Sequence, residues 1–313
     1  MEYLVTGGAG FIGSNMVRHL VEKNKKVRIL DDLSTGRLDN IKDLLDKVDF
    51  IQGDLRDTDT VKHAVNDVRY IFHYGALPSV ARSVEDPLTS NQTNVCGTLK
   101  LLLAARDARV DRFMYSSSSS VYGNTEVLPK TEDMVPMPLS PYAVQKLSGE
   151  YYCRIFHSLY GLKTFALRYF NVYGPRQNPK SQYSAVIPLF IDALKNRKPP
   201  VIHGDGEQTR DFTFVQDVIN ANLACCTAPD KACGQVFNIA RCDRISVKGL
   251  ASEIMNIMGI HITPIHESTR AGDVRDSQGD SRKAETLLGW RSDTNLQEGL
   301  QKTVDFYLAR NNY

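Results

Sequence analysis

The chain lacks the features that mark membrane, secreted or polyanion-binding proteins. Across its 313 residues no apolar run approaches the roughly 20 residues that span a bilayer. Charge of either sign is not in surplus: 38 lysines and arginines stand against 36 aspartates and glutamates, so no nucleic-acid partner is implied. The six cysteines (Cys96, Cys153, Cys225, Cys226, Cys233 and Cys242) show no CxxC spacing. They read as free, mostly buried thiols, which suits a reducing cytoplasm. His261 and His266 are close in sequence but have no clustered set of acid or thiol ligands, so no metal site is expected. Met1 leads almost at once into an apolar strand and a glycine turn, without a basic lead-in or cleavage site, and no secretory leader is expected. Internal repeats and low-complexity tracts are also missing.

What is present is alternation. Tyr3–Thr6, Val27–Leu30, Val48–Gln52, Tyr70–His73, Arg112–Ser116 and Thr164–Tyr169 read as strands, and the stretches between them, such as Ile12–Glu22 and Leu99–Ala108, read as helices. Strand–helix alternation predicts an α/β fold of Rossmann type, a doubly wound parallel sheet covered on both faces. After Gly174 prolines and polar residues crowd the chain. A further strand at Val236–Ile239 and helices near Val247–Met258 and Leu296–Tyr307 follow. The expected layout is a large domain, 1–174 plus 213–240, and a smaller C-terminal α/β substrate domain, 175–212 plus 241–313. The stretch Val215–Ala240 is expected to cross back to the large domain.

Between the first strand and the first helix stands Thr6-Gly7-Gly8-Ala9-Gly10-Phe11-Ile12-Gly13. Glycines there let the backbone approach a pyrophosphate, whose charge the helix N-terminus favours. An acid, Asp31, ends the next strand, with Asp32 beside it. A carboxylate at that place accepts hydrogen bonds from ribose hydroxyls and repels a 2′-phosphate, so NAD is expected rather than NADP. Asp54, at a further strand end, either bonds the adenine amino group or is a solvated loop acid.

Tyr142 and Lys146 are an i, i+4 pair on one helical face. A free tyrosine is a poor base at neutral pH, but a neighbouring ammonium favours the phenolate and makes a workable acid/base beside a hydride acceptor. Taken alone the spacing is weak; behind a dinucleotide loop it is strong. The serine run Ser116–Ser120, before Val121-Tyr122-Gly123, follows a strand, and ligands bind at the carboxyl ends of parallel strands.

Together these residues resemble the extended short-chain dehydrogenase/reductase family, in particular its nucleotide-sugar epimerases. The resemblance runs from Met1 to about Tyr307. It takes in the glycine loop, Asp31, Gly53-Asp54-Leu55, Asn94-Val95-Cys96-Gly97-Thr98, the serine loop, Tyr142/Lys146, Arg168–Pro175, Gly206–Phe212 and Arg270-Ala271-Gly272-Asp273-Val274. It implies NAD as a retained cofactor held by Gly7, Gly10, Phe11, Ile12, Gly13, Asp31, Asp32, Asp54, Leu55, Asn94, Tyr142, Lys146 and Tyr169. It further implies that Tyr142 takes the proton of the sugar 4-hydroxyl, that Ser118 bridges hydroxyl and phenol, and that Lys146 holds the nicotinamide ribose. The net result is inversion at C4 without consumption of NAD. Sister dehydratases and uronate decarboxylases carry an acid just before Val-Tyr-Gly. Ser119 and Ser120 stand there instead, so epimerisation fits better.

The resemblance also implies how a UDP-sugar is held. Asn171 would hold the donor's phosphate or sugar, alongside Ser118, Ser119, Ser120 and Tyr142. Arg210 and Arg270 would clamp the diphosphate. Asp273 would lie near the nucleotide ribose, and Val186 and His203 in segments that flank the base. Ser277 matches a gatekeeper position; a small residue there leaves room for an N-acetyl group. UDP-GlcNAc and UDP-GalNAc are therefore expected substrates, with UDP-Glc and UDP-Gal left open. Uronate epimerases tend to have Thr at Asn171 and Arg at Asn178, so a C6 carboxylate has no evident partner. Two rivals remain: a dehydratase or uronate-modifying enzyme of the same family, and a non-catalytic NAD-binding protein. The apolar stripe Leu147, Tyr151, Ile155, Leu159 on the Tyr142 helix reads partly as core and partly as a homodimer face, shared with the helix near Leu99–Ala105.

Overall fold

The computed structural model describes residues 1–179, 185–269 and 274–309. Seven strands form one wholly parallel sheet: β1 (Tyr3–Thr6), β2 (Val27–Asp31), β3 (Asp49–Gln52), β4 (Tyr70–His73), β5 (Arg112–Ser118), β6 (Lys163–Tyr169) and β7 (Gln235–Ile239). Their spatial order is β7-β6-β5-β4-β1-β2-β3. The chain winds outward one way through β1, β2 and β3 and the other way from β4 onward, so the order reverses between β1 and β4. In open α/β sheets that reversal opens a crevice at the carboxyl ends of the strands.

The alternation of side chains shows why both faces are covered. Leu4, Ile71, Phe113 and Tyr115 point into one core; Val5, Phe72 and Met114, their neighbours in sequence, point into the other. The first core is closed by α2 (Thr98–Asp107) and α3 (Pro141–Tyr160), through Leu101, Leu102, Cys153 and Phe156. The second is closed by α1 (Phe11–Glu22) and α5 (Val215–Cys225), through Met16, Val17, Leu20, Val218 and Ile219. The expected strands all form, with small shifts. The largest is at β5, which runs on to Ser118 because Ser116, Ser117 and Ser118 pair with Leu167, Arg168 and Tyr169. Backbone pairing across the ladder outweighs the weak strand preference of serine.

The return of the chain to the large sheet is direct: Gln235–Ile239 pairs with Phe165–Tyr169. Around the crevice the remaining chain builds short two-stranded pairs, Val201–His203 with Ile265–Glu267 and Thr209–Arg210 with Ile245–Ser246. Helices α4 (Val186–Lys195), α6 (Val247–Met258) and α7 (Leu296–Leu308) pack together beside them. Buried Asp217, on α5, ties this part down. It accepts hydrogen bonds from the Ser292 hydroxyl at 2.6 Å and the Thr294 hydroxyl at 2.9 Å, and its backbone carbonyl accepts from the Trp290 indole at 2.9 Å. The cysteines are unbridged; Cys153, Cys225 and Cys233 are buried, whereas Cys96 and Cys242 are exposed. Among the described residues no helix is long and apolar enough to cross a membrane.

A buried histidine locks β1 to β4. His73 lies between the Thr6 hydroxyl (2.7 Å from Nδ1) and the Thr98 hydroxyl (2.9 Å from Nε2). Thr98 donates its own proton to the Asn94 carbonyl at 2.7 Å. It must therefore accept from Nε2–H, which leaves Nδ1 to accept from Thr6. A second ring proton has no acceptor, and burial drives the imidazole pKa down from 6.5 to about 3. The unfolded chain thus binds a proton between pH 6.5 and 3 that the folded one refuses, and stability falls as pH drops through that window. Urea denaturation is expected to show a loss of up to about 4 kcal/mol from this residue between pH 7 and pH 3. His73→Gln should lower stability at pH 7 yet flatten the acid slope; an unchanged slope would contradict a His73 imidazole kept neutral by burial.

Candidate active site

The crevice is a cleft of about 960 Å³, at the upper end of the range of small-molecule sites (roughly 300–1,000 Å³). Its first wall is the glycine loop. Gly7 has φ +67°, and a side-chain carbon there would fall 2.8 Å from the Gly75 backbone nitrogen. At Gly13 it would collide with the Gly7 carbonyl oxygen. The loop is thus folded tightly onto itself and onto the end of β4, and only hydrogen fits. Gly7, Gly10, Phe11, Ile12 and Gly13 all line the cleft at the N-terminus of α1. Asp31 is 6 % exposed and closes this wall: its carboxylate accepts from the Ala9 N–H at 2.8 Å and the Leu33 N–H at 2.9 Å. Burial raises its pKa, and the backbone donors oppose that. Asp32, also on the cleft, accepts from the Ser34 N–H and hydroxyl. Glycine backbone at a helix start, with a carboxylate at the next strand end, is a donor and acceptor set that fits a dinucleotide.

The second wall begins where β5 ends. Ser118 continues the strand, and its hydroxyl accepts from the Ser120 N–H at 3.2 Å. Helix α3 starts at a place the sequence marks clearly: Ser140 caps it by accepting from the Ala143 N–H at 3.2 Å, Pro141 occupies the first turn, and Gly161 ends it at φ +71°. That start puts Tyr142 and Lys146 one turn apart, facing Ser116–Ser118. The Lys146 ammonium donates to the Ser116 carbonyl at 2.7 Å and lies 5.8 Å from the centre of the Tyr142 ring. Burial pushes the Tyr142 phenol up to about 12, while a hydrogen bond with Ser118 pulls it down. Burial also pushes Lys146 down to about 8, opposed by the Glu150 carboxylate one turn further along.

Glu150 belongs to a buried ion pair beneath the site. Arg168 of β6 grips it with two bonds, 2.9 Å to Oε1 and 2.7 Å to Oε2, and both side chains are under 5 % exposed. Ser117 donates to the same carboxylate, and the Arg168 guanidinium lies 4.6 Å over the Tyr122 ring. The pair clamps α3 to the ends of β5 and β6. Neither residue's part was visible in the sequence, although the i, i+4 step from Lys146 to Glu150 was there to be read.

Several expected site residues line the cleft as well: Leu55, Ser119, Ser120, Tyr169, Asn171, Arg210 and Ser277. Asn171 has φ +29° and donates to the Asp211 carbonyl at 3.0 Å. Four others do not reach the described wall. Asp54 is held in a fork by Arg56, at 2.6 Å and 2.8 Å. Val186 starts α4 behind Ala185, and His203 turns to the Ser268 carbonyl at 3.3 Å. Asn94 is 1 % exposed, and its amide accepts from the Leu77 N–H at 2.7 Å and donates to Gln145 at 2.8 Å. It is a strut that fixes the loop after β4 and the turn bearing Tyr142 and Lys146. It sits in a π-helical turn, Gln92–Gly97. Arg270 and Asp273 lie outside the described residues. Unforeseen in the sequence are Gly75, Ala76, Leu77 and Pro78 at the carboxyl end of β4, and Lys130 and Arg176 on loops. The position of the first four, directly after a strand, was a signal; the last two carried none.

A glycine cradle at the reversal point and a serine, tyrosine and lysine at the next strand end define a dinucleotide-dependent redox scaffold. The model of the family described as GDP-mannose 4,6 dehydratase matches residues 4–303, and the chain belongs to that family. It is similar to the UDP-glucose 4-epimerase of Thermotoga maritima, solved with UDP-glucose, at 37% identity and a TM-score of 0.94, covering 99% of each chain. It is similar to the UDP-N-acetylglucosamine 4-epimerase of Methanobrevibacter ruminantium, solved with UDP-N-acetylmuramic acid, at 38% identity and a TM-score of 0.94 over 98% of each. The UDP-glucose 4-epimerase of Thermus thermophilus, solved with NAD, is 31% identical with a TM-score of 0.89, covering 98% of this chain and 99% of that one.

Glu150→Gln leaves the Arg168 guanidinium buried without its counter-charge. Such a change costs roughly 3–5 kcal/mol. The expected outcome is a large fall in the urea midpoint; a midpoint within error of the wild type would show that the pair does not hold α3.

Proposed function

We propose that the protein is an NAD-dependent 4-epimerase of UDP-sugars, accepting UDP-GlcNAc and UDP-GalNAc, with Ser118, Tyr142 and Lys146 as its catalytic residues. The observation that carries this reading is the convergence of those three side chains at the end of β5, opposite the glycine cradle. The fit of Gly7, Gly13 and Asp31 to a dinucleotide supports the cofactor, as do the relatives solved with NAD and UDP-sugars.

The glycine loop and Asp31 would hold NAD, which when bound would supply the acceptor for the C4 hydride and its donor to the other face of the sugar. The protein's own task is the proton. Tyr142 takes the proton of the 4-hydroxyl and returns it after the 4-keto sugar has turned over in the cleft. Ser118 hydrogen-bonds both hydroxyl and phenol, and so holds the reacting oxygen in line. Lys146, protonated below about pH 8, faces the phenol with a positive charge, which favours the phenolate that burial alone opposes. Neither Ser119 nor Ser120 supplies an acid for elimination, which favours epimerisation over dehydration. Ser277, 6 % exposed on the cleft wall, is small enough to leave room for an N-acetyl group. Arg210 is assigned to the diphosphate. The domain division at 174, 212 and 240 belongs to the same reading: the dinucleotide on the large sheet, the UDP-sugar between it and the C-terminal elements.

Purified protein should convert UDP-GlcNAc to UDP-GalNAc when products are resolved by anion-exchange chromatography. Tyr142→Phe should lower kcat by at least about 10³-fold and leave NAD binding intact, and Ser118→Ala should cost roughly 10–10²-fold. A stable 4-keto-6-deoxy product would establish the dehydratase instead. Full activity in Tyr142→Phe would overturn the mechanism.

A homodimer is part of the proposal. On α3, Tyr151, Ile155 and Leu159 are exposed, not buried as core, and exposed Val80, Val84, Leu88 and Leu103 lie on or near helices packed against it. Light scattering should give twice the chain mass, and Ile155→Glu together with Leu159→Glu should yield monomer; a wild-type monomer would refute the interface.

A further inference from the structure

One cation on the cleft wall has no task in the reaction above. Lys130 lies in the loop between Tyr122 and α3, lines the cleft, and is 2 % exposed. A lysine is almost never so buried without a counter-charge. Among the described residues no carboxylate pairs with its ammonium. The one hydrogen bond it makes there is to the Gly123 carbonyl at 3.3 Å, and its ammonium lies 5.9 Å from the centre of the Tyr122 ring, a contact that carries no negative charge and leaves two of its three donors without an acceptor. The acids on neighbouring segments are engaged elsewhere: Glu132 accepts from the Asn238 N–H at 2.7 Å, and Asp280 is held by Arg282 at 2.8 Å. Burial and the nearby Arg210 both lower the Lys130 pKa, the mark of an ammonium short of negative charge.

Its surroundings look for an acceptor as well. The Lys130 backbone is strapped to the Ser277 segment, its N–H donating to the Gln278 carbonyl at 2.8 Å and its carbonyl accepting from the Asp280 N–H at 2.9 Å. Ser120 Oγ, on the loop that carries Gly123, is buried with no hydrogen-bond partner. Lys130, Ser120 and Ser277 all line the cleft, and the first is bonded to the loop of the second and the segment of the third. A neutral carbonyl would satisfy one donor and leave the charge uncompensated. A carboxylate offers two oxygens and cancels it.

We propose that Lys130, with Ser120 and Ser277, forms a subsite for a carboxylate carried on the sugar, so that acidic nucleotide sugars bind more tightly than neutral ones with the same nucleotide. The proposal rests on the nucleotide-sugar reading of the cleft. It supplies the cation that the sequence does not show at Asn171 or Asn178.

Calorimetric titration of the NAD-loaded protein tests it with four probes: UDP, UDP-GlcNAc, UDP-N-acetylglucosaminuronic acid (carboxylate at C6) and UDP-N-acetylmuramic acid (carboxylate on a C3 ether). One of the acidic sugars is expected to bind at least tenfold more tightly than UDP-GlcNAc, and which one does places the subsite on the ring. Lys130→Met should abolish that advantage while UDP and UDP-GlcNAc change less than twofold; Lys130→Arg should keep part of it. Acidic and neutral sugars that bind alike to the wild-type protein overturn the subsite without any variant, as does a Lys130→Met protein weakened equally toward all four. Failure of UDP itself to bind defeats the nucleotide-sugar reading, a separate outcome.

Discussion

The site depends on one close approach: the glycine loop after β1 against the backbone that leaves β4. A parallel sheet brings the carboxyl ends of all its strands to one edge, but it does not by itself leave a usable cleft there. The order reverses between β1 and β4, and the two chains leaving those strands diverge to opposite faces. They can do so at this distance because neither Gly7 nor Gly75 carries a side chain at the contact. Thr6 and His73, the last residues of the two strands, are joined by a hydrogen bond directly below. Cofactor cradle and sheet core are thus one structure, and a change that loosens either is felt in both.

The proton transfer proposed for the opposite wall depends on charges that the fold keeps dry. Lys146 is worth more to a phenol in a buried site than in water, because the local dielectric is low. The same burial opposes its own protonation. Glu150 offsets part of that loss, and Arg168 offsets the burial of Glu150 in turn. The result is a row of polar groups running from Tyr142 into the core: a phenol, then an ammonium, a carboxylate and a guanidinium of alternating charge. The arrangement holds α3 and β6 in register, with Lys146 bonded to the end of β5.

The sequence showed the parallel sheet well because its strands are short apolar runs with glycine or acid at their ends, and such runs carry their own local pattern. It showed the glycine loop, Asp31, Tyr142 and Lys146 for a similar reason: each is positioned by its own strand end or helix turn. Ser118 was legible only as part of a polar run; that the run begins as strand is decided by pairing with β6, far away in the chain. Three expected site residues have partners away from the described cleft wall. Asn94 has the chemistry of a ligand, but the π-turn directs its amide inward to Leu77 and Gln145. Asp54 is taken by an arginine two residues on, and His203 by a carbonyl across a short strand pair. What a polar side chain does is set by which partner reaches it first: for Asn94 and His203 that partner is far away in the chain, for Asp54 it is two residues on.

Lys130 is the sharpest case of the same limit. In the sequence it is one lysine among many in a loop of mixed polarity, and the ordinary expectation for such a residue is a solvated ammonium. It becomes unusual only when the chain returns with Gln278–Asp280 and seals it against Gly123. The cost of that burial is real and is incurred whether or not substrate is present, so a fold that keeps the residue must recover the cost somewhere. Helix packing does not recover it, since an apolar side chain would fill the space more cheaply. The Tyr122 ring, 5.9 Å from the ammonium, offsets part of it, and binding is the further route, selective by construction: only a ligand that brings negative charge to that point of the wall gains from it.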